Sequence, residues 1–394
     1  LAYDLAKRAE KAFQHELGIE DTNYIQFGYW DNLKKGLLAG EKLQHDLRRL
    51  EMAYLEQHKR EYELTKHISI AMLDPVALLN LKETGQCFIS IPEFLFDLDY
   101  PGHYMRRIKS VSLTIPCVTG PYTNVSCTLT LMGNRNRKKS TQTSNYAWDG
   151  SFEDDRFNYN IGGIQSIATS SAQNDSGLFE LRISGDERYL PFEGAGVISQ
   201  WRLELPSEFR QFDYNTITDV ILHMNYTARE GGGALKAAAT DHVRSVISEA
   251  SEGTVLMRMF SAKHEFPGEW HQFLHPEQED ASNILDMEFG KERFPFYFRD
   301  KSISIDQINF YLKIQDGESN NLEVQLFTPD SNPEQPVATQ TFAPGPTGLP
   351  QASFESLQFE VGDSDTWMLQ AQLEGIPEIE DMFIICHYTV ASSA

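Results

Sequence analysis

The sequence feature that constrains the fold most is an internal echo. Ile217-Thr-Asp-Val-Ile-Leu-His-Met-Asn-Tyr226-Thr227 returns 162 residues later as Ile379-Glu-Asp-Met-Phe-Ile-Ile-Cys-His-Tyr388-Thr389, with Ile, Asp, Tyr and Thr identical at matched positions. Further back, Ile108, Val111, Leu113 and Ile115 line up with Ile305, Ile308, Phe310 and Leu312 at an offset of 197. Ahead of these, Tyr100-Pro-Gly-His-Tyr-Met-Arg106 loosely resembles Phe294-Pro-Phe-Tyr-Phe-Arg299. The second copy is therefore shorter by 35 residues, which matches the polar stretch from Gly133 to about Gly177. Two matches at the two ends of a unit, in the same order, are the signature of a repeated architecture.

The texture of both copies is that of half-buried antiparallel strands. Val111, Leu113 and Ile115 alternate with polar residues, and so do Val125, Cys127, Leu129 and Leu131, then Phe179, Leu181 and Ile183, Trp201, Leu203 and Leu205, and Val220, Leu222, Met224 and Tyr226. Turn dipeptides at Pro101-Gly102, Gly120-Pro121 and Gly162-Gly163 separate them, a pattern that suggests β-sandwiches. Upstream the period changes. Leu1 to Leu17 reads as a helix broken at Gly18. Leu43, Leu47, Leu50, Tyr54, Leu64, Ile68 and Ala71 then form a coiled-coil-like seam with Gln57 and Glu61 at its centre. A helix this polar packs against a copy of itself or another part of the chain, and Asp74-Pro75 marks a stop or kink. The expected fold is an α+β arrangement: long N-terminal helices followed by two antiparallel β-sandwiches related by the repeat. The boundaries are a helical segment 1–83, a first sandwich 84–230, a flexible linker 231–250 leading into a short helix near His242 to Glu249, and a second sandwich 251–394.

Charge narrows the function classes. The formal net charge of the 394 residues is −23, and residues 240–394, with 8 basic and 26 acidic side chains, hold −18 of it. Phosphate backbones and anionic membrane surfaces repel such a chain, and no apolar run approaches the ~20 residues that span a bilayer. No signal peptide precedes the first helix, and the start inside a helical pattern reads as a piece of a longer chain. Four cysteines make no disulfide framework. Cys87, Cys117, Cys127 and Cys386 read as small buried hydrophobes, with a Cys117–Cys127 bridge as the one alternative.

The clusters that resemble catalytic motifs each fail on spacing. His264-Glu265, His271 and His275 miss the His-Glu-x-x-His zinc pattern because position 268 is Gly, and Pro267-Gly268 breaks the helix that pattern needs. Gly36-Leu-Leu-Ala-Gly40-Glu-Lys42 lacks the phosphate-loop spacing and the Ser or Thr after Lys. Glu93, Asp97 and Asp99 resemble a glycosidase carboxylate set, but 57 carboxylates must cluster somewhere. The basic run Asn134-Arg-Asn-Arg-Lys-Lys139 has no basic domain around it and reads as a solvated loop tip. The sequence thus assigns no catalytic, cofactor-binding or metal-binding residue, and it names no partner-contact residue. Tyr146, Trp148, Trp270 and Trp367 leave open a pair of sandwiches that stack on sugars or bind a receptor, although aromatics in sandwiches are more often core.

Several ordered motifs are familiar. Tyr100-Pro-Gly-His-Tyr-Met-Arg-Arg-Ile-Lys-Ser-Val-Ser-Leu-Thr-Ile-Pro116, Gly120-Pro-Tyr-Thr-Asn-Val125, Asn174-Asp-Ser-Gly-Leu-Phe179, Leu190-Pro-Phe-Glu-Gly194 and Asp219-Val-Ile-Leu-His-Met-Asn-Tyr-Thr227 resemble the C-terminal part of the A subunit (TcA) of Tc insecticidal toxin complexes. Gly36-Leu-Leu-Ala-Gly-Glu41 and the helix after it look like that family's channel-bordering segment. The resemblance covers about residues 1–230. It implies a non-enzymatic, cofactor-free subunit of a secreted, pentameric translocation channel. The β domain of such a subunit docks the TcB–TcC cocoon, which carries the toxic enzyme, and membrane contact is confined to segments upstream of Leu1. Shorter relatives stop after the strand ending at Tyr226-Thr227, so the acidic second sandwich is an addition whose role the resemblance does not supply.

Overall fold

A computed structural model describes residues 1–19, 22–30, 37–120, 123–141, 145–152, 154–170, 180–182, 190–207, 209–252, 256–276, 282–295, 298, 301–314, 322–330, 335–345, 347–371 and 379–391. The chain opens with a helical hairpin. In α1 (Ala2–Leu17) the residues Ala6, Glu10, Phe13 and Leu17 recur at 4-3-4 spacing and are buried, and Gly18 ends the helix in the left-handed region at φ 66°. In α2 (Leu37–Gln57) the buried set Ala39, Leu43, Asp46, Leu50 and Ala53 has the same period. The two stripes meet, Ala6 with Leu43 and Phe13 with Leu50. The acidic residues in the seam are satisfied by the connecting segment: Glu10 accepts from the backbone N–H of Tyr24 and Ile25, and Asp46 accepts from the Tyr29 hydroxyl at 2.6 Å.

The expected helical segment does not reach residue 83. Tyr62–Ser69 is a strand, β1, paired along its whole length with β8 (Ile221–Glu230). Leu64 and Ile68 are four apart, which suits a helix face and equally one face of a strand. The backbone ladder offered by β8, some 160 residues later in the chain, decides between them. Asp74-Pro75 does stop a helix, since Asp74 caps the C-terminus of the short preceding helix with its N–H on the Ile70 carbonyl, and it also starts the next one: Asp74 caps α4 (Pro75–Thr84) by accepting from the Ala77 N–H, with Pro75 at the first turn. The short α3 (Ile70–Leu73) precedes it.

Eight strands and α5 (Phe94–Asp97) complete the first unit. With β2 (Gln86–Ile91), β3 (His103–Thr114), β4 (Val125–Arg137), β5 (Phe157–Ser170), β6 (Glu180–Arg182) and β7 (Ile198–Glu204), the sheets run β1-β8-β3-β6 and β2-β7-β4-β5. Alternating residues of both sheets enclose one core around Leu113, Leu129, Leu131, Trp201 and Met224. Of the polar excursion expected at 133–177, residues 133–137 and 157–170 are strand, and 171–177 lie outside the described residues. So do Phe179 and Ile183, while Leu181 pairs with Leu113 in β6.

The expected short helix near His242 to Glu249 is present, but it starts nine residues earlier, at Gly233, and takes in most of the expected flexible linker. α6 (Gly233–Glu252) forms because Ala-Leu-Lys-Ala-Ala-Ala is rich in strong helix formers and because Leu235 and Ala239 bury against Tyr146. Its first turn lies directly on Gly102, where φ is +83° and an added Cβ would come within 2.5 Å of the Lys236 Cα.

The second unit starts with β9 (Leu256–Ser261), α7 (Ala262–Glu265), α8 (Pro267–Leu274) and β10 (Asn283–Glu288). It continues with β11 (Ser302–Ile314), β12 (Glu323–Phe327), β13 (Ala338–Thr341), β14 (Ala343–Pro344), β15 (Pro350–Phe354), β16 (Phe359–Glu360), β17 (Thr366–Ala371) and β18 (Ile379–Ala391). Its sheets run β14-β15-β11-β18-β9, with β16 also on β11, and β10-β17-β12-β13. They enclose Phe260, Leu285, Phe310, Trp367 and Ile384. The first unit grips this one through α4. Leu79 is buried against Tyr311, Leu349, Phe383 and Ile385, with Val76, Met257 and Met259 around them. At the rim Lys313 donates to Glu83 at 2.6 Å and to Asn215, and the Lys82 ammonium lies 5.3 Å from the Phe383 ring centre.

Candidate functional site

Two polar hubs fix the first sandwich to its surroundings. The first joins it to the helical hairpin. Arg229, at the end of β8, donates to the Leu17 and Glu16 carbonyls at 2.9 and 3.2 Å, satisfying the open C-terminus of α1. Its Nε donates to Glu61, which also accepts from Arg107 at 2.8 Å. Burial pushes the Glu61 carboxyl up, but hydrogen bonding to Thr227 and the two guanidinium charges prevail and hold it below its ordinary value.

The second hub lies inside. Arg137 forks onto Glu93 with bonds of 2.9 and 2.8 Å and donates to the Tyr146 carbonyl. Arg106 pairs with Asp97 at 2.6 Å, and the Tyr146 hydroxyl donates to the other Asp97 oxygen. Burial pushes the Asp97 carboxyl and the Tyr146 phenol up. For Arg106, burial is outweighed by Asp97 and Glu93, which hold the guanidinium charged. Glu93 and Asp97 are therefore committed to arginines, and Asp99 pairs with Lys66 at 2.7 Å. The three resembling a glycosidase set do not come together on an open cleft. The hub instead fastens α5, the end of β4 and, through the Tyr146 ring, α6.

The basic run is corrected by the same hub. Asn134, Asn136 and Arg137 are buried within β4, and the Arg135 guanidinium lies 3.8 Å from the Trp148 ring centre. Residues 134–137 are not a loop tip because their polar groups have partners that the sequence places nine or more residues away. Of the aromatics considered for sugars, Trp270 and Trp367 are core, Tyr146 is buried, and Trp148 is half-buried between Arg135 and Tyr159. The four thiols are free; Cys87, Cys127 and Cys386 are buried and Cys117 half-buried. His271 on α8 and His275, which caps that helix, stand with ring centres 4.9 Å apart, while Glu265 turns to Arg258 and Arg293. Among the described residues no group of three or more His, Cys, Asp and Glu is arranged to hold a metal. Gly36 lies outside the described residues; Gly40, Glu41 and Lys42 are on α2. No described helix is long and apolar enough to cross a membrane.

On the outer face of the β2-β7-β4-β5 sheet the first sandwich shows exposed apolar side chains on and near its two edge strands, with the Arg202–Glu204 pair of β7 between them. Phe88 on one edge strand is 56% exposed. Ile161 and Ile167 on the other edge strand are 76% and 69% exposed, and Met132 lies exposed on β4. Sequence alternation marks Phe88 and Met132 as outward residues. It could not mark β5, where Gly162-Gly163 interrupts the period.

Residues 1–228 match the family model described as the Tc toxin complex TcA C-terminal TcB-binding domain. A curated relative, toxin subunit YenA2 of Yersinia entomophaga, is 39% identical over 241 residues, covering 58% of this chain and 17% of its own length. Among solved structures, Morganella morganii TcdA4 is 25% identical over 57% of this chain and 10% of its own, with a TM-score of 0.38. Yersinia pseudotuberculosis TcaA–TcaB is 25% identical over 55% of this chain and 12% of its own, with a TM-score of 0.36. The chain spans under a fifth of the length of these relatives, and the second sandwich lies beyond the family match. With more than half of its residues matched, the chain belongs to the TcA family of Tc toxin subunits and carries that family's C-terminal TcB-binding domain.

Proposed function

We propose that this chain is the non-catalytic docking module of a pentameric Tc toxin A subunit, which seats the TcB–TcC cocoon at the entrance of a translocation channel in a secreted complex. The match of residues 1–228 to a TcB-binding domain carries the reading. The domain boundaries we assign are a helical hairpin 1–57, a first sandwich 62–230, the helix α6, and a second sandwich from 256. The two sandwiches are copies of one topology. In support, β1-β8-β3 and β9-β18-β11 occupy the same places in chain order, as do β2-β7-β4-β5 and β10-β17-β12-β13.

The exposed face with Phe88, Met132, Ile161 and Ile167 is the docking surface for TcB. Large apolar side chains this exposed at both edges of one sheet face, around a charged pair, support an interaction site there. In a binding assay of the intact chain against a TcB subunit, Ile161→Asp and Ile167→Asp should each weaken affinity by about tenfold or more with an unchanged melting temperature. Absence of binding by the wild type would end the docking reading. Binding that neither variant alters would move the contact to another face.

A further inference from the structure

A free sheet edge is a template for another strand, and proteins guard their edges with charge, proline or shortness. Most edges of this chain are guarded. β1 carries Glu63 and Lys66, β9 carries Arg258, and β10 carries Asp286 and Glu288. β6, β13, β14 and β16 are no longer than four residues. The β2-β7-β4-β5 sheet inverts the pattern. Its edge strands, β2 (Gln-Cys-Phe-Ile-Ser-Ile) and the 14-residue β5, contain no charged residue and no proline. The charges lie on the interior strands instead, at Arg135 and Arg137 on β4 and at Arg202 and Glu204 on β7.

Both edges are open on the outer face. Among the described residues β2 pairs only with β7, and β5 only with β4. α4 meets β2 from the inner side, where Leu78 and Leu81 share a core with Cys87 and Ile89. Phe88 and Ser90 point the other way and are exposed, as are residues 160–165 and 167 on β5. A bulge sets Gly162-Gly163 against Met132 alone, so residues 164–170 form the regular part of β5. That run is long enough for the six residues of β2.

The strand directions fit the two edges to one another. Every neighbouring pair in the sheet is antiparallel, so β5 runs opposite to β2. β5 of one copy beside β2 of the next therefore continues the alternation with the same face outward. Residues opposite each other in a ladder share a face. Phe88 and Ser90 stand outward with Arg202 and Gln200, and Ile167 and Gln165 stand outward with Thr128 and Thr130. The register that sets Ile167 against Phe88 also sets Gln165 against Ser90 and Ile164 against Ile91, with Ser166 against Ile89 as the mixed pair. Apolar side chains that one copy splits between two edges, around the Arg202–Glu204 pair, thereby become one strip.

We propose that copies of this chain join edge to edge, β5 of one adding to β2 of the next in that register, so that their four-stranded sheets become one antiparallel sheet. The contact is head-to-tail and repeats until it closes as a ring. A ring suits the pentamer proposed above, but the inference rests on the two edges of this chain and needs no TcB.

The test uses the full chain without TcB in about 0.15 M salt, where repulsion between the acidic copies is screened over about 8 Å. Within one chain β2 and β5 are three strand spacings apart, about 14 Å, too far for a disulfide, whereas opposed ladder residues are within reach of one. A chain carrying both Ser90→Cys and Gln165→Cys should give, on mild oxidation, a ladder of linked multiples of 44.9 kDa. The unsubstituted chain, whose Cys117 is half-buried, is the baseline. A mixture of the Ser90→Cys chain with the Gln165→Cys chain should stop at the linked dimer, because only one bridgeable junction forms. Adding Phe88→Lys to the double variant should reduce linkage about tenfold or more. Phe88 is exposed, so an unchanged melting curve verifies that this variant folds. Absence of the ladder, linkage in either single variant as strong as in the mixture, or a ladder that Phe88→Lys leaves unchanged would each overturn the proposal.

Discussion

Arg229 shows how a single side chain joins the helices to the sandwich. It occupies the last carbonyls of α1 and neutralises Glu61, which Arg107 also contacts. Arg229→Ala should therefore cost about 2 kcal/mol, leaving carbonyls and a half-buried carboxylate short of a partner. The pH dependence follows from the sign of the Glu61 shift. Its folded value lies below its unfolded one, so its contribution is complete above the unfolded value and is lost as pH falls through the folded value. The melting-temperature gap between wild type and Glu61→Gln should close as pH drops below about 4.3. A gap that stays constant down to about pH 3 would show that Glu61 does not act through its charge. The sequence revealed only part of this arrangement. Gly18 marks the end of α1 locally, by its backbone freedom. Glu61 looks like a polar seam residue because its partners are 46 and 168 positions away.

Among the elements, α4 belongs to two cores at once. Leu78 and Leu81 point into the first sandwich while Leu79 points into the cluster shared with the second. Leu79→Ala should cost about 3 kcal/mol as a core truncation and should loosen the units from one another. Native-state hydrogen exchange of β9 and β18 would then rise more than that of β3 and β4. Equal protection in all four strands would mean that the junction is not what couples the units. The alternating strands and the echo between β8 and β18 were legible because half-buried strands advertise their faces every second residue. β1 was not, since a short segment with apolar residues four apart fits both periods. Of α6 only the stretch near His242 to Glu249 was legible; its Gly-Gly-Gly start resembles a linker until Leu235 and Ala239 meet Tyr146 across the chain.

At the level of the whole molecule, the asymmetry of charge has a kinetic consequence for docking. Residues 240–394 hold −18 of the −23 charge, far more than solubility asks of a domain that size. The α4 junction holds that acidic body against the first sandwich, so its field acts on whatever approaches the proposed docking face. Deleting the second unit would test this badly, because it would strip the cover from Leu79. Neutralising exposed carboxylates leaves the junction in place, and Glu323, Asp330, Glu355 and Glu360 are all exposed. Long-range fields change association rates more than dissociation rates, and salt screens them over about 10 Å at 0.1 M. The fourfold variant Glu323→Gln, Asp330→Asn, Glu355→Gln and Glu360→Gln should therefore bind TcB with a flatter salt dependence of the association rate and an unchanged dissociation rate. The sign of the rate change at low salt reports the partner's surface: slower association means a basic approach face on TcB, and faster association means an acidic one. A salt slope identical to the wild type's would leave the acidic surface with no part in docking.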